Sequence, residues 1–309
     1  MDPRLLLSVT FSGAAFALIG LAVRFGAPRG VDSLHVAVIG MLGGVLFFAP
    51  DAARILAGGS IPPSVWLLGL AAGLTQYAAV RLIKTALRMG PLTPLWCAQM
   101  LAFVPVILYA GFFLGERILP VHVAALILAS LSILFAALNQ DPAPAQSVGS
   151  QVRPRSVWLY AAVLAGALIL NSIANISVKA LASTAAPGGS QLQVYGGLFY
   201  LMMYLLIWLG SAAELLIARR QPASWALMLV LGLAAGLGSV TGVVTIRIGM
   251  TLPAAVSFTL SSTTSILCAA LAGALLFGER RTRWWWATVA CGAGVILVAN
   301  SADLLKLLP

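Results

Sequence analysis

The stretch Leu68–Leu74, LGLAAGL, recurs unchanged at Leu231–Leu237, 163 residues further along the chain. A second word, Gly-Glu-Arg, stands at Gly115–Arg117 and again at Gly278–Arg280 with the same offset, and in that register Lys84 falls on Arg247. Two separate words sharing one offset mark a duplicated unit. At an offset of 155 the pair Val23-Arg24 also meets Val178-Lys179, which relates the first apolar run to the sixth. The match between the second run and the seventh is weak.

The residues around these words define the solvent. Of 309 residues, 61% are hydrophobic and 8% are charged, and the mean hydropathy is +1.02. A soluble domain carries roughly a quarter charged residues, so a water-soluble globule, a disordered chain, a coiled coil and a nucleic-acid module are all excluded. The 18 Lys and Arg give a net charge of +10, but they stand at the ends of apolar runs, where membrane proteins keep them. A bilayer-crossing helix needs about 20 mostly apolar residues. That window finds ten runs: 5–27, 33–57, 64–88, 91–114, 119–138, 156–182, 191–217, 223–249, 252–277 and 283–302. The polar segment 139–155, NQDPAPAQSVGSQVRPR, reads as a flexible linker between two five-helix halves, 1–138 and 156–309. An odd number of spans per half turns the second half upside down. The expected fold is therefore all-α: a polytopic membrane protein of ten transmembrane helices arranged as two inverted five-helix repeats. In secondary transporters such repeats frame a site near the midplane. The first run follows Arg4 as a signal peptide would, but its counterpart in the second half makes it a span. Cys97, Cys268 and Cys291 all lie in apolar runs and read as packing residues.

Polar residues inside apolar runs are costly and must face a cavity or a partner helix. Asn171, Asn175 and Lys179 are spaced i, i+4, i+8 and share one face of the sixth run. The ninth run carries Ser257–Ser265, SFTLSSTTS, whose hydroxyls can also bond back to their own helix. The repeat register sets Gln76 against Ser239 and Gln99 against Ser262, so polar side chains recur at matched mid-span positions. Tyr77 and Trp96 stand beside them and can stack on an organic solute. The candidate substrate-binding set is Gln76, Tyr77, Trp96, Gln99, Asn171, Asn175, Lys179, Ser239 and Ser262. The G-x-x-x-G pairs Gly69/Gly73, Gly232/Gly236 and Gly40/Gly44 read as helix-packing faces. Glu116-Arg117 and Glu279-Arg280 read as interfacial turns fixed by paired charges. Arg81, Lys84 and Arg88 lie along one face, either as snorkelling interfacial charge or as a vestibule for anionic solutes. The one acid well inside a run is Glu214, beside Arg219 and Arg220. No metal site, cofactor motif, catalytic motif or nucleotide-binding motif is present in the sequence, so neither an enzyme nor an ATP-driven pump is expected.

The segment Leu252–Ala299, LPAAVSFTLSSTTSILCAALAGALLFGERRTRWWWATVACGAGVILVA, resembles the drug/metabolite transporter superfamily, and within it the EamA-like ten-helix branch. Each half closes as those proteins do, with an apolar helix, a Gly-Glu-Arg turn and a final short helix. The resemblance implies a solute cavity between the halves, lined mainly by spans 1, 3 and 4 and their mates 6, 8 and 9. It departs in span 2, which lacks the basic residue that many members carry early in that helix. The membrane-embedded Glu with which the small multidrug-resistance relatives bind cations in their first helix has no equivalent here. The expected protein is a multi-pass exporter of the cell inner membrane. Its partners are a small polar or zwitterionic solute, such as an amino acid, and the lipid bilayer. An anionic metabolite exchanger and a non-transporting membrane scaffold are the alternatives. Six basic residues (Arg4, Arg54, Arg117, Lys179, Arg247 and Lys306) fall on the face with the termini. The positive-inside rule then puts the termini outside the cytoplasm, and the resemblance implies the reverse.

Overall fold

The computed structural model describes residues 3–89, 99–138, 157–219, 221–276 and 281–304. Trp96, Cys97, the linker 139–155 and the second Gly-Glu-Arg turn at Gly278–Arg280 lie outside the described residues. Ten α-helices can be given bounds among the described residues: α1 (Pro3–Gly26), α2 (Ser33–Ala57), α3 (Pro63–Met89), α4 (Phe103–Phe113), α5 (Pro120–Leu138), α6 (Val157–Ser183), α7 (Gln191–Ile217), α8 (Trp225–Gly249), α9 (Ala254–Leu276) and α10 (Arg283–Leu304). The one departure from an all-helical layout among the described residues is a two-residue antiparallel hairpin between α6 and α7, pairing Ala185 with Ser190 and Ala186 with Gly189. Seven helices, α1 to α3 and α6 to α9, are long and apolar enough to cross a membrane. The other three are apolar and shorter among the described residues. The outer faces carry large apolar side chains, with Phe112 80%, Trp158 84% and Ile217 85% exposed. A surface of that kind fits lipid, and the fold fits an all-α polytopic membrane protein.

Helix starts are fixed by side chains that satisfy orphan backbone amides. Asp32 accepts from the amides of Leu34 and His35, and the His35 ring returns a bond to the Asp32 amide. Burial alone would raise the Asp32 carboxyl, but the hydrogen bond and charge of His35 outweigh it and, with a smaller pull from Lys84, hold the group at about 2. The cap's contribution is therefore complete above about pH 4, its ordinary range, and fades only as the pH falls toward 2. Ser190 caps α7 by accepting from the Gln193 amide while Gln193 Oε1 accepts from the Ser190 amide. Ser224 caps α8 by accepting from Leu227.

The sequence predicts an unbroken span over 91–114, but regular α4 begins only at Phe103, after a turn at Leu101–Ala102. Proline explains the break. Pro105 has no amide to offer the Leu101 carbonyl, and its ring crowds that turn. Tighter bonds of the i to i−3 kind replace the ladder, from Ala102 to Gln99 and from Val104 to Leu101. The carbonyls at the break are then met by α6: Asn171 Nδ2 donates to Gln99 O at 3.0 Å, and Ser172 Oγ donates to Ala102 O at 3.2 Å.

The main packing partners cross between the two sequence halves. α1 lies on α8 and α9, α2 on α7 and α8, α3 on α6 and α7, and α5 on α10. Glycine sets the closest approaches. A Cβ on Gly40 of α2 would stand 3.1 Å from the Gly232 carbonyl and the Gly236 amide of α8, and one on Gly236 would stand 2.9 Å from the Gly40 carbonyl. On the other flank Gly69 and Gly73 of α3 receive Met202 and Leu206 of α7. Small residues four apart thus let backbones touch, the interaction that drives helix association in lipid. Gly43, one turn from Gly40, faces nothing within 4 Å. Gly40→Leu and Gly236→Leu should therefore each cost more than the usual 1–3 kcal/mol of overpacking, because backbone cannot rotate away. We expect them to abolish the monodisperse peak in detergent size-exclusion chromatography, and Gly43→Leu to keep it.

Candidate functional site

Where the two sets of helices face each other they leave a cavity of about 260 Å³, walled by α1, α2, α3, α4 with the turn before it, α6, α7, α8 and α9. Six of the sequence-selected residues line it: Gln76, Gln99, Asn171, Asn175, Ser239 and Ser262. Gln76, Asn171 and Ser239 sit near the middles of α3, α6 and α8. Together with Ser261 and Ser265 they form a polar belt at mid-depth.

Above and below the belt the lining turns aliphatic. Val23, Val36, Val80 and Ile83 close in toward the end where α1 and α3 finish and α2 begins. Val178, Val243, Ile246 and Met250 do the same toward the end where α6 and α8 finish and α9 begins. Each of these two ends carries an ion pair that joins the sequence halves. At the α9 end Lys179, 3% exposed, meets Glu116 Oε1 at 2.6 Å and donates to Leu252 O at 3.1 Å. The second oxygen of Glu116 accepts from the Ala254 amide at 2.7 Å and so caps α9 from the α4–α5 connection. A carboxylate at a helix N-terminus is favoured by the helix dipole as well as by the hydrogen bond. At the opposite end Glu214 is held by Lys84 and by Arg81, the latter at 3.1 Å.

The remaining sequence-selected residues are placed elsewhere. Tyr77 packs its ring over Gly210 of α7 and does not line the cavity. Lys179 shares the Asn171 face of α6, but it is one helix turn beyond the belt and spent on Glu116. The sequence sets Glu214 beside Arg219 and Arg220, yet its partners are Arg81 and Lys84 on α3, because α7 turns that face inward. Glu116 pairs across the halves and not within its own turn.

Sequence reading passed over the two tyrosines of α7. Tyr204 Oη and Ser239 Oγ share a hydrogen bond of 2.7 Å, and the Tyr204 ring stacks on Phe48 of α2 with centroids 5.7 Å apart. Tyr200 lines the same wall one turn earlier. Their i, i+4 spacing in LFYLMMYLLIW was a usable signal, but span 7 has no matched residues in span 2. Four polar atoms of lining residues are buried without a protein partner: Ser33 Oγ, Gln99 Nε2, Tyr200 Oη and Ser265 Oγ.

No family model matches the chain, and no curated protein matches it. Among 24 solved chains that match, one described only as "Crystal structure of protein" superposes with a TM-score of 0.65 at 19% identity. The match covers 99% of this chain and 98% of that one. At that identity the likeness concerns the fold alone.

Two measurements check this geometry. With Cys97, Cys268 and Cys291 replaced by serine, a single cysteine at Gln76, Asn175 or Ser262 should react with a small water-soluble thiol reagent, while Tyr77→Cys should stay protected. Equal rates at all four positions would move the cavity. Lys179→Met leaves the Glu116 charge without its partner and should cost about 3 kcal/mol, the low end for a broken buried pair. The double change Glu116→Gln with Lys179→Met should recover more than half of that loss in thermal unfolding.

Proposed function

We propose that the chain is a secondary transporter of the EamA-like branch of the drug/metabolite transporter superfamily. In this reading ten spans in two inverted repeats export a small polar or zwitterionic organic solute from the cytoplasm across the inner membrane by alternating access. The observation that carries it is the mid-depth polar belt, walled by helices of both halves and flanked toward each end by aliphatic side chains and, outside the lining, an inter-half ion pair. Exchanging spans 1–5 for 6–10 turns the contact of α1 with α8 into that of α6 with α3. The same exchange turns α2 on α8 into α7 on α3, and both members of each pair occur. That symmetry supports the inverted repeat. The turn ahead of α4, met by α6, is of the discontinuous kind that lines transporter sites.

Rocking about the belt would break one ion pair while keeping the other. The two pairs lie toward opposite ends of the bundle, Lys179 near the end of α6 and Glu214 near the end of α7. The anion-exchanger alternative needs free cations at the solute, yet Arg81, Lys84 and Lys179 are all engaged with carboxylates. A scaffold has no use for a polar cavity between its halves.

Glu214 is engaged by two cations and is absent from the lining, and no other carboxylate lines the cavity among the described residues. The reading therefore favours facilitated transport or exchange over obligatory proton antiport. Proteoliposomes loaded with a metabolite mixture and clamped at equal pH and zero membrane potential should show counterflow of at least one component by mass spectrometry. Accumulation that follows an imposed pH gradient and is lost in Glu214→Gln would overturn the uncoupled mode, and no exchange of any component would overturn transport.

A further inference from the structure

The cavity wall contains no charged side chain among its 30 described residues. Polar groups in the wall are amides and hydroxyls, and the large side chains beside them are aromatic or thioether: Phe16, Phe103, Phe258, Met41, Met100 and Met203. An ion stripped of water needs an opposite charge or a dense set of aimed dipoles, and the cost of lacking both exceeds any gain from dispersion. The aliphatic side chains flanking the belt toward each end repeat the constraint.

The unpartnered atoms narrow the class further. Gln99 Nε2 can only donate, whereas Tyr200 Oη and Ser265 Oγ can donate or accept. These three and Ser33 Oγ, a further hydroxyl at the start of α2, are buried in the wall with no protein partner, a condition folded proteins tolerate where a ligand or water completes the set. A complementary solute carries at least one acceptor next to a group that can give or take a proton bond, and that is the edge of an amide or lactam. The aromatic and thioether wall suits a flat apolar body attached to that edge.

We infer that the cavity selects an uncharged amphipathic solute, a primary amide or lactam on an aromatic or similarly flat apolar body, in preference to anions, cations and zwitterions of the same shape. This selection narrows the polar or zwitterionic solute of the proposed function to its uncharged side. Its physiological meaning rests on the transporter reading, although binding itself does not. Phenylacetamide is the probe, set against phenylacetate, 2-phenylethylammonium and phenylalanine, which keep the ring and change the charge. Calorimetric titration of the full chain in lipid nanodiscs should give phenylacetamide at least tenfold tighter binding than each of the other three. Gln99→Leu should weaken phenylacetamide at least threefold. Its fold should survive, because Asn171 uses the Gln99 backbone carbonyl and not its side chain. Tyr200→Phe, which deletes one oxygen from the same wall, should weaken it likewise. A charged or zwitterionic probe binding as tightly as the amide, or no binding of the amide, overturns the inference. Counterflow in proteoliposomes made from the same purified protein separates the two claims. Exchange of a metabolite mixture without amide preference leaves the transporter standing and removes the solute class. Amide preference without any exchange does the reverse.

Discussion

Hydrocarbon supplies no hydrogen bonds, so each backbone carbonyl released inside the membrane must be met by another part of the protein. The break ahead of α4 is where this requirement organises the molecule. The chain turns at Leu101–Ala102, the Val104 amide meets the Leu101 carbonyl that Pro105 cannot serve, and α6 lies close enough for Asn171 and Ser172 to reach the carbonyls of Gln99 and Ala102. That docking fixes the position of α6 beside the turn. It thereby sets the wall that carries Asn175 and, further along, the approach of Lys179 to Glu116. The turn ahead of α4 thus ties the mid-depth lining to the ion pair at the end of the bundle.

The halves are alike in outline and different in detail, and the differences gather at the cavity. In α9, the counterpart of the broken fourth span, the helix runs unbroken from Ala254 to Leu276. Its hydroxyls are partly absorbed by their own backbone, Ser257 on Pro253 and Thr264 on Leu260. The first half reaches the same place with amides and a turn. A cavity between two identical halves would present the same groups twice. This one presents Gln99 on one side and Ser262 and Ser265 on the other, an asymmetry that would give a solute of the proposed kind a single orientation.

Helix number, helix ends and the duplicated words were legible because each depends on local pattern: apolar length, Pro and Gly punctuation, and identity at a fixed offset. Mid-depth polar residues were legible for the same reason, since Gln76, Gln99, Asn171 and Asn175 have no solvent to face. What escaped depends on rotation of helices about their axes. Tyr77 sits next to Gln76 in sequence, but adjacent residues on a helix point about 100° apart, and only one of them meets the cavity. Lys179 keeps the Asn171 face and is carried past the belt by the rise of the helix. Charge partners escaped most completely. Glu116 finds Lys179, and Glu214 finds Arg81 and Lys84, across more than 60 residues in each case, and no spacing rule reaches that far.

The contact of Gly40 with Gly232 and Gly236 is the nearest approach of α2 and α8, and Gly236 falls close to the midpoint of α8. Backbone against backbone at that point is a hard bearing with no side chains to compress. Such a bearing turns a tilt into a lever motion. With arms of about 18 Å on either side, a 10° tilt swings the two ends of α8 by ~3 Å in opposite directions while the middle stays put. A fulcrum of this kind lets the mouths of the bundle change width without disturbing the residues at mid-depth, and any side chain larger than hydrogen at Gly40 or Gly236 would shift the axis of that swing.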